Sequence, residues 1–507
     1  MIPNSLKNRL VLASLIAALF TMGLCGLARA QSAATVSITL DKKAANKPVT
    51  GRMLVFFSKS MPQPMFGPNW FGPEPFFGLD VKDVQPGGEV VLDDSADYYK
   101  APLSKIKDGT YNVQAILDHD FFYAEASNGP GNFYCAPMKV EIKSGRPTAP
   151  IKLNLDQVVK DKNYKDTELM KFVEIESTLL SEFHKRPVTE RAMVVLPPSY
   201  ATETGKRYPV YVVITGFGGT YERIQQRHRG GTPPAGEGEA EFIRVYLTGQ
   251  CKWGHHVYAN SATNGPRGDM LVKELIPQID KQFRTIAEPT ARFVGGHSSG
   301  GWSSLWLQVT YPEFFGGVWS TAPDPVDFRD WQGTNIYEKN ANVFTDPEGK
   351  RRPLARRGSQ IMAYYDAFTQ MDDVLGRGGQ IRSFDGVFSP LDENGLPKKC
   401  WDRNSGNVDP DIVDYWKQYD ISLNLKNNWS DLGPKLKTKL HVYMGAVDTF
   451  YLEGATVLLG KRLKELGSDA IIEIFPGKDH MNLLDGKLRS RIMREMSQQF
   501  WKSHPKK

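Results

Sequence analysis

From about residue 170 onward the chain alternates short apolar runs with amphipathic stretches, and few folds accept that rhythm. "YPVYVVITG" (208–216) and "EFIRVYLTG" (241–249) are apolar along most of their length, as strands buried on both faces must be. "GDMLVKELIPQIDKQF" (268–283) spaces Leu271, Leu275, Ile276 and Ile279 along one helical face. A strand at 292–296, a helix from Gly300 to Tyr311 and the strand "GGVWSTAP" follow. The end repeats the theme with "KLHVYMGAVD" (439–448), the helix "LEGATVLLGKRLKEL", the strand "AIIEIFP" and a terminal helix. Strands separated by helices need crossover connections, so residues 170–507 are expected to form an α/β unit with a doubly wound, mostly parallel sheet. At its entry, "LLSEFHKRP" and "ERAMVVLPPSY" read as an antiparallel strand pair. Between about 324 and 430 the alternation stops. That stretch, rich in charge and aromatics, reads as a lid-like insertion over one end of the sheet.

Residues 31–160 follow a different rhythm. "ATVSITL", "GRMLVFFS", "GEVVLDD", "GTYNVQAIL" and "MKVEIK" are short β-rich runs separated by Pro, Gly, Asn and Asp, the pattern of an all-β, immunoglobulin-like sandwich. Its loop "MPQPMFGPNWFGPEPFFG" (61–78) carries aromatics among prolines, and serves either to pack the loop onto the sandwich or as a platform for sugar rings or the neighbouring domain. The polar stretch 154–168 reads as a linker.

At the start, Lys7 and Arg9 precede an apolar run from Leu10 to Leu27 and then Ala28-Arg29-Ala30, the pattern of a secretory signal (1–30) cleaved after Ala30. A periplasmic or secreted location follows, with no membrane association after cleavage. Losing Lys7, Arg9 and Arg29 with no acid takes the net charge from +6 to +3, and no dense basic run remains, so nucleic acid is excluded as a partner. Cys135, Cys251 and Cys400 allow at most one bridge, with Cys251–Cys400 the preferred pair. Neither C-x-x-C nor H-E-x-x-H occurs, so no metal site is expected, and nothing implies a cofactor.

Gly296-His297-Ser298-Ser299-Gly300 fits G-x-S-x-G between a strand and a helix, where a strained turn lifts a serine into reach. Ser298 is the candidate nucleophile, and the N–H of Ser299, opening the helix, is a candidate oxyanion donor. A serine hydroxyl needs a base. His480, in "FPGKDHMN" after the last strand, is the candidate; His255 and His256 are rivals that otherwise line the substrate site together with Trp302. Asp448 ends the strand "KLHVYMGAVD" and completes the order Ser…Asp…His, with Asp324 as runner-up acid. The turn Thr215-Gly216-Phe217-Gly218-Gly219 should supply the second oxyanion donor, from Phe217 or else Gly218.

With these residues in place, "RAMVVLPPSY", "YPVYVVITGFGG", "VKELIPQIDKQFRT", "VGGHSSGGWSSLWLQVTYPEFFGGVWS", "MGAVD" and "GKDHMN" together resemble the putative-esterase (esterase D-like) branch of the α/β-hydrolases. The resemblance implies an α/β-hydrolase fold and a serine carboxylesterase, with Ser298, Asp448 and His480 as nucleophile, acid and base. Thr215 departs from it, standing where the family usually has His. The expected substrate is a small-molecule or polysaccharide-linked ester, phenolic or carbohydrate in kind. Two rival readings are a serine peptidase of the prolyl-oligopeptidase type and a non-catalytic, glycan-binding envelope protein.

Overall fold

The computed structural model describes residues 34–120 and 122–506; the signal segment expected at 1–30 lies outside them. In the N-terminal region, Val36–Leu40 alternates buried and half-buried side chains and pairs in parallel with Ile151–Leu155 and antiparallel with Glu89–Leu92. A second sheet centres on Val49–Ser58, flanked antiparallel by Phe76–Val84 and Gly109–Asp118. Val36, Ile38 and Leu40 from the first sheet share one core with Val55, Phe57, Val113 and Leu117 from the second. The central strand is buried on its other face too: Leu54 and Phe56 belong to the core of the α/β part. That double burial is why "MLVFFS" reads as a continuous apolar run and not as an alternation.

The α/β part is built on an eight-stranded sheet: β1 (Met170–Glu176), β2 (Thr189–Val195), β3 (Val210–Ile214), β4 (Ile243–Leu247), β5 (Arg292–His297), β6 (Gly317–Thr321), β7 (Leu440–Gly445) and β8 (Ile471–Phe475). Their spatial order is β1-β2-β4-β3-β5-β6-β7-β8. The first two pairings are antiparallel and all the others are parallel. Three helices matter below: α1 (Ser299–Thr310), α2 (Tyr365–Leu375) and α3 (Gln380–Phe388).

The entry strand pair is corrected by the structure. On its outer side β2 pairs with β1, whereas "LLSEF" lies in a helix, Thr178–His184. Ser177 dictates this by capping it, its hydroxyl accepting from the Leu180 N–H at 3.1 Å. A further helix, Tyr221–His228, follows the turn after β3.

The segment between β6 and β7 is not loose. Phe328, Trp331, Phe384, Phe388 and Trp416 are all buried and pack ring on ring. Two of the buried indoles are satisfied: Trp331 Nε1 donates to Tyr365 Oη at 2.9 Å and Trp416 Nε1 to Ser389 Oγ at 2.8 Å. This cluster continues into α1, where Trp302 stacks on Trp306 (5.3 Å) and meets Phe388 (5.1 Å). Burial of each such ring contributes roughly 1.5–3 kcal/mol, which fixes the segment onto the helix that follows the serine turn. The aromatics of this insertion are here largely core. Cys135, Cys251 and Cys400 are three free, buried thiols, so the Cys251–Cys400 bridge does not form.

Candidate functional site

Crevices at the carboxyl ends of parallel strands are where α/β sheets hold ligands. Here the loops after β3, β5, β7 and β8 meet. Ser298 ends β5 and opens α1 with φ 62° and ψ −127°, a backbone conformation costing on the order of 1–3 kcal/mol for a non-glycine residue. Two hydrogen bonds hold it there: its N–H donates to Thr321 O and its carbonyl accepts from the Trp302 N–H, both at 3.0 Å. The flanking glycines are enforced by contact. A Cβ on Gly300 would stand 2.1 Å from Ile214 O, and one on Gly296 would stand 2.3 Å from Gly300 O. The strand-to-helix turn therefore closes only with glycine at both places, and Ser298 is left half-buried and reachable at its apex.

The loops after β7 and β8 are stitched together by Ala446 N–H to Phe475 O (2.9 Å) and Val447 N–H to Lys478 O (3.1 Å). Asp479 then caps a tight turn, accepting from the N–H groups of Met481 and Asn482 at 2.9 Å each. His480 is thereby delivered to Asp448, Nδ1 to Oδ2 at 2.8 Å. The second carboxylate oxygen of Asp448 accepts from the Phe450 N–H at 2.8 Å, and Arg356 Nε donates to the Asp448 carbonyl at 3.0 Å. Asp448 is fully buried and His480 is 5% exposed. His480 stands beside the serine turn, its ring 4.6 Å from that of His297, the residue before Ser298. Burial and the neighbouring His480 push His297 down to about 3, so it stays neutral. The structure thus brings the Asp448–His480 pair beside the turn that carries Ser298, from three distant stretches of chain.

The turn 215–219 borders the same place. A Cβ on Gly216 would lie 3.1 Å from Ser298 Cβ and 3.7 Å from its Oγ. Thr215 N–H donates to Leu247 O and Gly219 N–H to Gly216 O, each at 3.0 Å, while Gly218 sits at φ 73°. Phe217, half-buried, turns its ring towards Gly254 and α3.

His255 and His256 are not at the surface of this crevice. They are 1% and 2% exposed, and burial holds His255 down at about 4 and His256 well below the usual imidazole value. His255 accepts from the Val257 N–H at 3.1 Å and, from its other nitrogen, donates to the Thr215 carbonyl at 3.0 Å. Its part is to support the 215–219 turn, so an imidazole stands under this turn even though position 215 is Thr. His256 accepts from the Tyr258 N–H and packs edge-on to that ring. Trp302, 1% exposed, is core and not a substrate contact. The sequence could not separate these cases, because a buried imidazole and an exposed one look alike in a single chain.

Asp324 is likewise not the partner of His480. Its Oδ2 accepts from Ser299 Oγ at 2.6 Å, and Gln380 Nε2 of α3 donates to that same hydroxyl at 3.2 Å. Burial raises the Asp324 carboxyl from 3.8 to about 6. The folded chain therefore keeps a proton there that the unfolded chain has released, and this group weakens the fold as pH climbs from about 4 to about 6. Gln380, Arg356 and Phe450 are site neighbours with no local signature, since each reaches the site only through tertiary packing.

Among the described residues no His/Cys/Asp/Glu group could hold a metal, and no helix is long and apolar enough to cross a membrane.

A family model described as "putative esterase" matches residues 189–455. Two curated esterases of Mycobacterium tuberculosis, MT1326 and Rv1288, are 31% identical over 140 residues, which is 27% of this chain. The chain spans only 29% of the length of these relatives. Among solved structures, a ferulic acid esterase is similar over 66% of this chain and 99% of its own, at 14% identity and a TM-score of 0.40. The dipeptidyl peptidase 4 of Porphyromonas gingivalis is similar over 83% of this chain and 46% of its own, at 12% identity and a TM-score of 0.36. The match over 189–455 takes in more than half of the 507 residues and includes the serine turn and Asp448: this chain belongs to the putative esterase family.

Proposed function

We propose that the chain is an exported serine hydrolase of carboxylic esters, acting through Ser298, His480 and Asp448. One observation carries the reading: a buried acid–imidazole pair bonded at 2.8 Å stands beside a serine held at φ 62° between strand and helix. In this reading His480 takes the Ser298 proton as Oγ attacks the ester carbonyl, and Asp448 fixes the imidazole tautomer and offsets the charge it gains. The N–H groups of Ser299 and Phe217, with Gly218 beside them, receive the developing oxyanion. Ser299 suits that task because the first N–H groups of a helix have no intrahelical acceptor. His480 then returns the proton to the leaving alcohol, and water, activated by the same base, releases the acyl group. Export rests on the sequence of residues 1–30.

The test is turnover of p-nitrophenyl acetate against the matching anilide, p-nitroacetanilide, by the full chain. Ester hydrolysis with no measurable amide cleavage is the expected result. Faster cleavage of amides, or of peptides, would replace the esterase with a peptidase.

A further inference from the structure

The segment 61–78 is held rigidly at its base. Glu74 accepts from Ser60 Oγ and the Lys59 N–H, both at 2.7 Å. Asn112 Nδ2 donates to Met61 O at 3.0 Å, and the Met65 N–H donates to Gln114 Oε1 at 3.1 Å. Its far end is held too, by Trp70 stacked on Phe368 of α2 at 4.8 Å. Phe71 comes next, and it is 46% exposed. Its ring lies 6.4 Å from that of Phe450, inclined by 29°. Phe450 in turn stands edge-on to His480 at 4.9 Å, while its N–H holds Asp448. A loop from the N-terminal β region thus reaches within one ring of the base.

An exposed phenyl on a fixed loop adds little to any core, and it is not alone. Val447 and Met481, the immediate neighbours of Asp448 and His480, are 41% and 80% exposed. Exposed apolar side chains gathered around an acid–base pair mark a surface built to meet a ligand. The rings of Phe71 and Phe450 offer faces and edges and no hydrogen-bond donor, so they favour a flat apolar group.

We infer that Phe71 is a specificity-determining residue: with Phe450 it forms an aromatic wall on which an ester bearing a planar ring rests while Ser298 attacks. The inference rests on the esterase reading above. It gives the N-terminal β region a direct part in substrate choice.

The test uses the full chain and its Phe71→Ala and Phe71→Trp variants. The substrates are methyl cinnamate (ring on the acyl side), benzyl acetate (ring on the alcohol side) and ethyl butyrate (no ring). The readout is kcat/KM for each ring-bearing ester divided by that for ethyl butyrate, a ratio that does not depend on the fraction of folded enzyme. In Phe71→Ala this ratio should fall by roughly three- to tenfold for the ring ester that the parent prefers, mainly through KM, and Phe71→Trp should restore it. An unchanged ratio, or a parent that hydrolyses ethyl butyrate but neither ring ester, would overturn the inference while leaving the esterase standing. A parent inert to all three and unlabelled by a fluorophosphonate would remove the esterase reading itself, and this inference with it.

Discussion

Replacing Ser298 by Ala should lower kcat for ester hydrolysis by about 10⁶, the loss seen when a triad acting as a unit is deprived of its nucleophile. The size follows from the surroundings. The adjacent Ser299 cannot step in: it is fully buried, with its hydroxyl committed to Asp324 and Gln380. Threonine 321 is also occupied, donating to Gly296 O at 2.9 Å. The proposed oxyanion donors and substrate surface would remain, so a residual rate of about 10³ over the uncatalysed reaction should survive. Folding should be little affected. Ser298 makes no side-chain capping bond, and Ala meets the same strained φ as Ser. A stopped-assay comparison of purified parent and variant measures the effect. A variant retaining a tenth of the parent rate would take Ser298 out of the chemistry.

The second large effect is expected at Asp448. Asp448→Asn should drop kcat by about 10⁴ with the fold intact, because the amide keeps an oxygen for one partner and loses the charge for the other. In the native site one oxygen takes the Phe450 N–H and the other takes His480 Nδ1–H. With Asn, the NH₂ group faces Nδ1 and favours the tautomer whose other nitrogen is already protonated, so the base is lost. The buried position also denies solvent the chance to substitute for the missing charge. Steady-state kcat for a small ester is the measurement. A loss under tenfold would hand the acid's role to Asp324, which its bond to Ser299 argues against.

Much of this site was legible in the sequence because its signals are local. The strands β3, β4, β5 and β7 are largely buried and so appear as mostly apolar runs. The glycines of the serine turn are demanded by backbone contacts within a few residues or one strand away, and the order Ser298, Asp448, His480 follows from where strands end. What failed was decided by tertiary packing. His255, His256 and Trp302 carry polar or aromatic chemistry suited to a substrate, yet each is interior, and no periodicity distinguishes a supporting imidazole from a binding one. Asp324 follows a strand as closely as Asp448 does, and only their tertiary partners, Ser299 Oγ and His480, separate their roles. The helix at 178–184 was hidden because a capping serine outweighed a run that also suits a strand. The aromatic loop 61–78 offered the neighbouring domain as one of its possible partners, and it does meet Phe368 and Phe450, but those residues lie far along the chain and no local pattern names them.

The most direct measurement is labelling of the full chain with a fluorophosphonate, followed by mass analysis of its peptides. Such a probe reacts with a serine that a neighbouring base has activated. One adduct on Ser298, absent from Ser298→Ala and strongly slowed in Asp448→Asn, is the result expected from a serine activated by the buried pair. An adduct on another residue, or none on the folded parent, would mean that the strained turn and the 2.8 Å bond between His480 and Asp448 serve some other end.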